Sequence, residues 1–181
     1  MILPRIARAV GLVLACAASQ AAAQELWYTV GIAASHNDTA QVMEMLFKGN
    51  QDPDGIESAG QRTPLEYAAS FNNLVMAKLL LDHGAHVDAR DPTGATALHW
   101  SAERGNLDFM RYLIDNKATL DIANKQGITP LMLAAGHAQA GAARLLVQSG
   151  ADPRKQDYTG RDAFGWAAGS PAVVQALNTK R

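Results

Sequence analysis

Cysteine is nearly absent from this sequence, and an excess of charge of one sign is absent as well. Cys16 is the single cysteine among 181 residues, so an internal disulfide framework is excluded. The 16 basic and 17 acidic side chains leave a formal net charge of −1, and such a balance does not predict a nucleic-acid-binding surface. Aromatic residues make up only 6% of the chain. This composition favours closely packed helices of small aliphatic residues.

The sequence also lacks the motifs of common enzyme classes. No nucleophile elbow, phosphate-binding glycine loop, dinucleotide-binding glycine pattern or zinc-protease helix occurs in it. The absence of a motif is weak evidence on its own. We nevertheless expect a non-enzymatic protein without a cofactor, because packing alone accounts for the residues that recur along the chain.

The N-terminal segment has the features of a secretory signal. Arg5 and Arg8 precede an apolar run over residues 9–18, and Ala23 ends a small-residue pattern that signal peptidase cleaves before Gln24. The run has about half of the ~20 apolar residues that a membrane-spanning helix needs. We therefore expect a cleaved signal rather than an anchor.

Residues 1–23 are expected to be removed, which leaves residues 24–181 as a periplasmic or secreted domain without a membrane span. The mature chain would have 14 basic and 17 acidic side chains, a net charge of about −3, and no cysteine. Such a chain suits an oxidising compartment, because it cannot form wrong disulfides. The alternative is a lipoprotein acylated at Cys16, since residues 13–16 resemble a lipobox.

Residue types recur at a spacing of 33 through the mature chain. The recurring sets include Thr63, Thr96, Thr129 and Asp162; Leu65, Leu98 and Leu131; Tyr67, Trp100 and Trp166; Leu80, Leu113 and Leu146; and Gly94, Gly127 and Gly160. A fixed period of this length indicates a solenoid in which each short unit packs only on its neighbours. We expect the aromatic set to lie in the core.

Each unit is predicted to contain two helices and an extended finger. Thr63 can cap a helix whose first residue is Pro64, and the apolar run over residues 74–81 predicts a second helix. Gly84 can end that helix in the left-handed conformation. Lys117 stands where Gly84 stands in its unit, so Lys117 or its neighbour is expected to take this conformation.

The runs Thr63-Pro64-Leu65 with Ala68-Ala69, and Thr96-Ala97-Leu98-His99, resemble the T-P-L-H-x-A-A pattern of ankyrin repeats. The resemblance implies an all-α repeat solenoid of about five units, including divergent caps, each a helix-turn-helix with a β-hairpin finger. The unit ranges are expected at about 26–57, 58–91, 92–124, 125–157 and 158–181. The resemblance also implies a hydrogen bond from His99 to the finger. Glu66 and Met132 replace this histidine in two other units, so the bond is in doubt in those two units.

Protein binding is the function that this resemblance implies. In ankyrin proteins the finger tips and the exposed ends of the first helices form a concave surface that faces a partner. The matching candidate residues are Phe71, Arg90, Thr93, Glu103, Arg104, Lys125, Gln126, Ile128, His137, Tyr158 and Arg161. We expect a monomer that binds one protein and neither nucleic acid nor a metal.

The resemblance to exported bacterial ankyrin-repeat proteins suggests two roles, and the sequence does not choose between them. One is support or protection of a periplasmic enzyme such as a catalase in oxidative-stress defence, and the other is immunity against a toxin delivered into the periplasm. An alternative from another class is a hydrolase or a small-ligand or metal binder. Its candidate site comprises Asp82, His83, His86 and Asp88.

Overall fold

The computed structural model describes residues 29–48, 51–56, 61–167 and 169–179. The predicted signal peptide, with Cys16 and the cleavage site between Ala23 and Gln24, lies outside the described residues. The structure confirms the all-α solenoid: the described part of the chain contains ten helices and no strand. No helix in those same ranges is long and apolar enough to cross a membrane.

The helices alternate between two rows. The first helices of the five units are α1 (Val30–Ser35), α3 (Pro64–Ser70), α5 (Ala97–Arg104), α7 (Pro130–Gly136) and α9 (Ala163–Trp166). The second helices are α2 (Thr39–Phe47), α4 (Leu74–Asp82), α6 (Leu107–Asp115), α8 (Ala140–Ser149) and α10 (Pro171–Leu177). Each first helix packs on the next first helix and also contacts the second helix of its own unit. Among the second helices, α2 packs on α4, α6 on α8 and α8 on α10.

Side-chain caps fix where the first helices begin. The Thr63 hydroxyl accepts the backbone N–H of Glu66, and Oε2 of Glu66 accepts the backbone N–H of Thr63, so two helix-terminal donors are satisfied reciprocally. Thr129 and Asp162 cap α7 and α9 in the same position of their units. The capping residue, Thr63 and Thr129 in two units and Asp162 in the last, therefore fixes where these helices begin.

The core is made by the recurring leucines and alanines. Leu65, Leu98 and Leu131 are fully buried, and the alanines at the middle of each first helix lie against the neighbouring units. Small side chains there allow close approach between successive helices, which is why a chain with few aromatics still packs well.

The fingers are closed turns in place of the expected β-hairpin ladders. In each of three fingers two backbone bonds close the turn. In the first finger they run from Asp91 N–H to Ala95 O at 3.0 Å and from Gly94 N–H to Asp91 O at 2.8 Å, and the next two units have them at the equivalent positions. One further bond joins each finger to the next: Lys125 N–H donates to Thr93 O, and Tyr158 N–H donates to Gln126 O. A single bond between neighbours is too few to form a strand ladder.

Candidate functional site

The three fingers form a row that presents most of the predicted binding residues. The row consists of the turns 91–95, 124–128 and 157–161, tied side by side by the backbone bonds described above. The candidates on or next to these turns are Arg90, Thr93, Lys125, Gln126, Ile128, Tyr158 and Arg161. All of them are exposed except Ile128, which is half-buried.

Tyr158 reaches the tip of the third finger because Gly127 leaves room for it. A Cβ atom on Gly127 would lie 2.8 Å from both Cδ1 and the backbone nitrogen of Tyr158. Gly127 also has a φ of +80°, which an L side chain rarely adopts. Tyr158 is nevertheless 78% exposed, so its ring lies on the row and remains available to a partner.

The ends of the first helices supply the remaining candidates. Phe71 is the C-terminal cap of α3 and is 47% exposed. Glu103 and Arg104 end α5, and His137 follows α7. The carboxylate of Glu103 lies 3.8 Å from Nε2 of His137, which shows that the ends of successive first helices are adjacent. We call the three finger turns together with these ends (70–71, 103–104 and 136–137) the finger face.

Arginines cover the aromatic column that the sequence placed in the core. Trp100 and Trp166 are half-buried and pack against the core. The guanidinium carbon of Arg62 lies 3.5 Å from the ring centre of Trp100, and that of Arg161 lies 4.4 Å from the ring centre of Trp166. Arg62 was missed by sequence reasoning. Arg62 and Arg161 lie three periods apart, so periodicity could have pointed to Arg62 but not to the ring that it covers.

His99 has the structural role that the resemblance implied. Nδ1 accepts the backbone N–H of Thr96 at 3.1 Å, and Nε2 donates to the carbonyl oxygen of Ile128 at 3.1 Å. Burial lowers the pKa of His99 to about 4, so the ring is neutral at physiological pH. The imidazole thus joins α5 to the finger of the next unit and holds Ile128 at the edge of the finger face.

Three of the four residues of the alternative metal or hydrolase site, His83, His86 and Asp88, bind different neighbours. Nδ1 of His83 binds the carbonyl oxygen of Leu79, His86 binds the carboxylate of Asp54, and Asp88 accepts the backbone N–H of Thr119. Each side chain therefore has a different local partner. Within the part of the chain that the structure describes, no three histidine, cysteine, aspartate or glutamate side chains form a group that could hold a metal ion.

Comparison with known families decides the repeat type. The family described as "Ankyrin repeats (3 copies)" matches residues 12–91, 30–124 and 87–157. The chain belongs to the ankyrin-repeat family. Ankyrin repeats make it a protein–protein interaction module, and proteins of this family are in general non-enzymatic.

A curated relative carries the same repeats in a much longer protein. It is an ankyrin repeat protein of fowlpox virus (strain NVSL), named FPV014, which is 48% identical over 50 residues. The matched segment is 28% of this chain and 11% of the viral protein. The similarity therefore concerns the repeats themselves.

Proposed function

We propose that this ankyrin-repeat chain is an exported protein that binds one protein partner through its finger face. The observation that carries the proposal is the row of fingers, tied together by backbone bonds, which presents exposed side chains in a fixed order. Such a surface is organised before binding, so a partner bound there does not have to order it. Export is proposed on the N-terminal signal features alone.

Phe71 and Tyr158 are the proposed anchors of the contact. Aromatic and arginine side chains dominate the binding energy of most protein interfaces. Phe71 lies at one end of the finger face and Tyr158 at the other, so a partner that covers both must extend across the units between them. Arg104 lies between them at the end of α5.

Exposed apolar side chains also occur away from the finger face. Phe47, at the end of α2, is 71% exposed, and Val75, at the start of α4, is 72% exposed. Because exposure alone does not mark a binding site, these second-helix residues provide a matched control for the finger face.

The experiment is a crosslinking pull-down from native periplasm with three forms of the protein. These are the wild type, a Phe71→Ala/Tyr158→Ala variant and a Phe47→Ala/Val75→Ala variant. We expect the wild type and the second-helix variant to recover the same partner, and the finger-face variant to lose it. Equal recovery by all three forms, or no partner at all, would count against the proposal.

The identity of the partner separates the two roles. Recovery of an enzyme such as a catalase supports a role in enzyme support or protection. Recovery of a delivered toxin supports immunity. Both roles use the same face, so the variant comparison tests the face whichever partner is found.

A further inference from the structure

The fingers separate their charges by depth. The three segments 84–96, 117–129 and 150–162 carry six acidic and six basic side chains, a formal balance of zero. The acidic ones are Asp88, Asp91, Asp121, Asp152, Asp157 and Asp162, and none of them is exposed. The basic ones are Arg90, Lys117, Lys125, Arg154, Lys155 and Arg161, and all six are exposed.

The aspartates are drawn inward because each accepts a backbone N–H. Asp91 and Asp157 close their own turns by accepting two such bonds each. Asp88 and Asp121 reach the next unit and accept the N–H of Thr119 and Asp152. Asp152 and Asp162 accept the N–H of Arg154 and Gly165. Backbone dipoles thus offset the negative charges.

The middle finger carries this separation further. Asn124 stands where the other two fingers have Asp91 and Asp157, and its amide oxygen accepts the same two backbone bonds at 2.9 and 3.0 Å. The turn is therefore closed without a carboxylate. Lys125, at the exposed tip, has no acidic side chain within its own turn.

Two of the basic groups are held in place by aromatic rings. The guanidinium of Arg154 lies 4.4 Å from the ring centre of Phe164, and Arg161 stacks on Trp166 at the same distance. Each also lies 3.4 Å from a carboxylate, Asp162 and Asp157 respectively. A guanidinium stacked by its face keeps N–H groups in its plane, the geometry that binds a carboxylate through two bonds.

We infer that the partner contacts the fingers through a segment rich in aspartate and glutamate. This inference rests on the proposed function and adds the chemistry of the partner. A chain whose overall charge is −1 presents a basic outer surface on its fingers, and interfaces pair surfaces of opposite potential. A protein segment is favoured over nucleic acid, because ankyrin repeats form a protein–protein interaction module.

The test is a selection of random 12-residue peptides, displayed on phage, against the intact folded protein. A finger variant, Arg90→Glu/Lys125→Glu/Lys155→Glu, is compared with a control, Lys78→Glu/Arg111→Glu/Arg144→Glu. The control residues form one exposed column at the period of 33 on the second helices, so both variants change the net charge by the same amount. Glutamine versions of both sets and thermal unfolding curves separate lost binding from lost folding.

We expect the selected peptides to be enriched in aspartate and glutamate and to bind the finger variant about tenfold more weakly or worse, with the control unchanged. Peptides without an acidic bias, whose binding is lost in the Phe71→Ala/Tyr158→Ala variant, would overturn the inference and leave the proposed function standing. Equal weakening by both charge variants would overturn it too. So would binding of a 20-base-pair DNA duplex that the finger variant abolishes and that exceeds peptide binding.

Discussion

Glu66 and His99 occupy the same place in successive units and accept the same hydrogen bond. Oε2 of Glu66 accepts the backbone N–H of Thr63 at 2.9 Å, as Nδ1 of His99 accepts that of Thr96 at 3.1 Å. Both side chains are fully buried. Burial raises the pKa of Glu66 to about 8 and lowers that of His99 to about 4, so both are neutral at pH 7.

Because of Glu66, the free energy of unfolding is predicted to fall as the pH rises. The unfolded chain ionises this carboxyl near 4.5 and the folded protein near 8, so between these values the folded state holds one proton more. His99 acts in the opposite direction between about 4 and 6.5, and the two effects offset each other below pH 6.5. From pH 6.5 to 8 the contribution of Glu66 falls by about 1.4 kcal/mol per pH unit at most. His86, whose pKa is raised by its hydrogen bond to Asp54, acts in the same direction whether or not Glu66 is replaced.

The measurement is the free energy of unfolding by urea at pH 6.5 and pH 8, for the wild type and Glu66→Gln. Glutamine can accept the Thr63 N–H and carries no titrating group, so the variant should lose about 1 to 2 kcal/mol less than the wild type over this interval. Glu44→Gln, at an exposed ion pair on α2, serves as control and should follow the wild type. If the free energy of unfolding changed equally with pH in all three proteins, the conclusion that Glu66 is buried and protonated would be contradicted.

Gly136 is predicted to resist substitution although it is exposed. It is the last residue of α7, and a Cβ atom there would lie 2.8 Å from Cε3 of Trp166. Gly136→Ala should therefore lower the free energy of unfolding by about 1 to 3 kcal/mol. Gly141→Ala is the control, because its Cβ would meet only the end of the Leu107 side chain, at 3.3 Å from the nearer methyl group, and it gains helix propensity. Equal stability of the two variants would show that Trp166 can move away.

Lys117 is predicted to gain stability when it is replaced by glycine. Its φ is 69°, the left-handed conformation that glycine takes in the equivalent position, at Gly84 and Gly150. Relief of that strain should raise the free energy of unfolding by about 0.5 to 1 kcal/mol. Lys125→Gly, on an exposed finger tip, removes the same charge and controls for it. A lower free energy of unfolding for Lys117→Gly than for the wild type would refute the claim that Lys117 is strained.

Replacement by phenylalanine is predicted to lower the thermal stability by different amounts at Trp100 and Trp166, because their indole N–H groups differ in hydrogen bonding. Nε1 of Trp166 donates to Oδ2 of Asp157 at 2.9 Å, whereas Nε1 of Trp100 is buried with no hydrogen-bond partner among the described residues. Trp166→Phe should therefore lower Tm by about 2–4 °C more than Trp100→Phe. Differential scanning calorimetry measures this, and a larger loss at Trp100 would contradict it.

Local rules made most of the fold predictable from the sequence. The helix starts and ends follow from short local patterns, a threonine before proline and a glycine after an apolar run. The repeat follows from the period of 33, which can be read directly from the sequence. Contacts between units could not be predicted in this way. Arg62 stacks on Trp100 of the next unit, and no rule within one unit shows that a residue before the capping threonine covers an aromatic ring of its neighbour.

The first unit shows where a fixed offset fails. Thr29 and Thr63 cap α1 and α3 and lie 34 residues apart, but Asp38 and Asn73, which cap α2 and α4, lie 35 apart. The helix α1 has 6 residues and α3 has 7. A cap unit packs on one neighbour only, so its helix can shorten by a residue without breaking the stack.

The most direct test of the finger face is hydroxyl-radical footprinting of the protein with and without the partner recovered from periplasm. The method reads oxidation of exposed aromatic and methionine side chains, and the two surfaces offer matched pairs. We predict that the partner protects Phe71 and Tyr158 and leaves Met43 and Phe47 on α2 unchanged. Protection of Met43 and Phe47, with Phe71 and Tyr158 oxidised as in the free protein, would contradict the account.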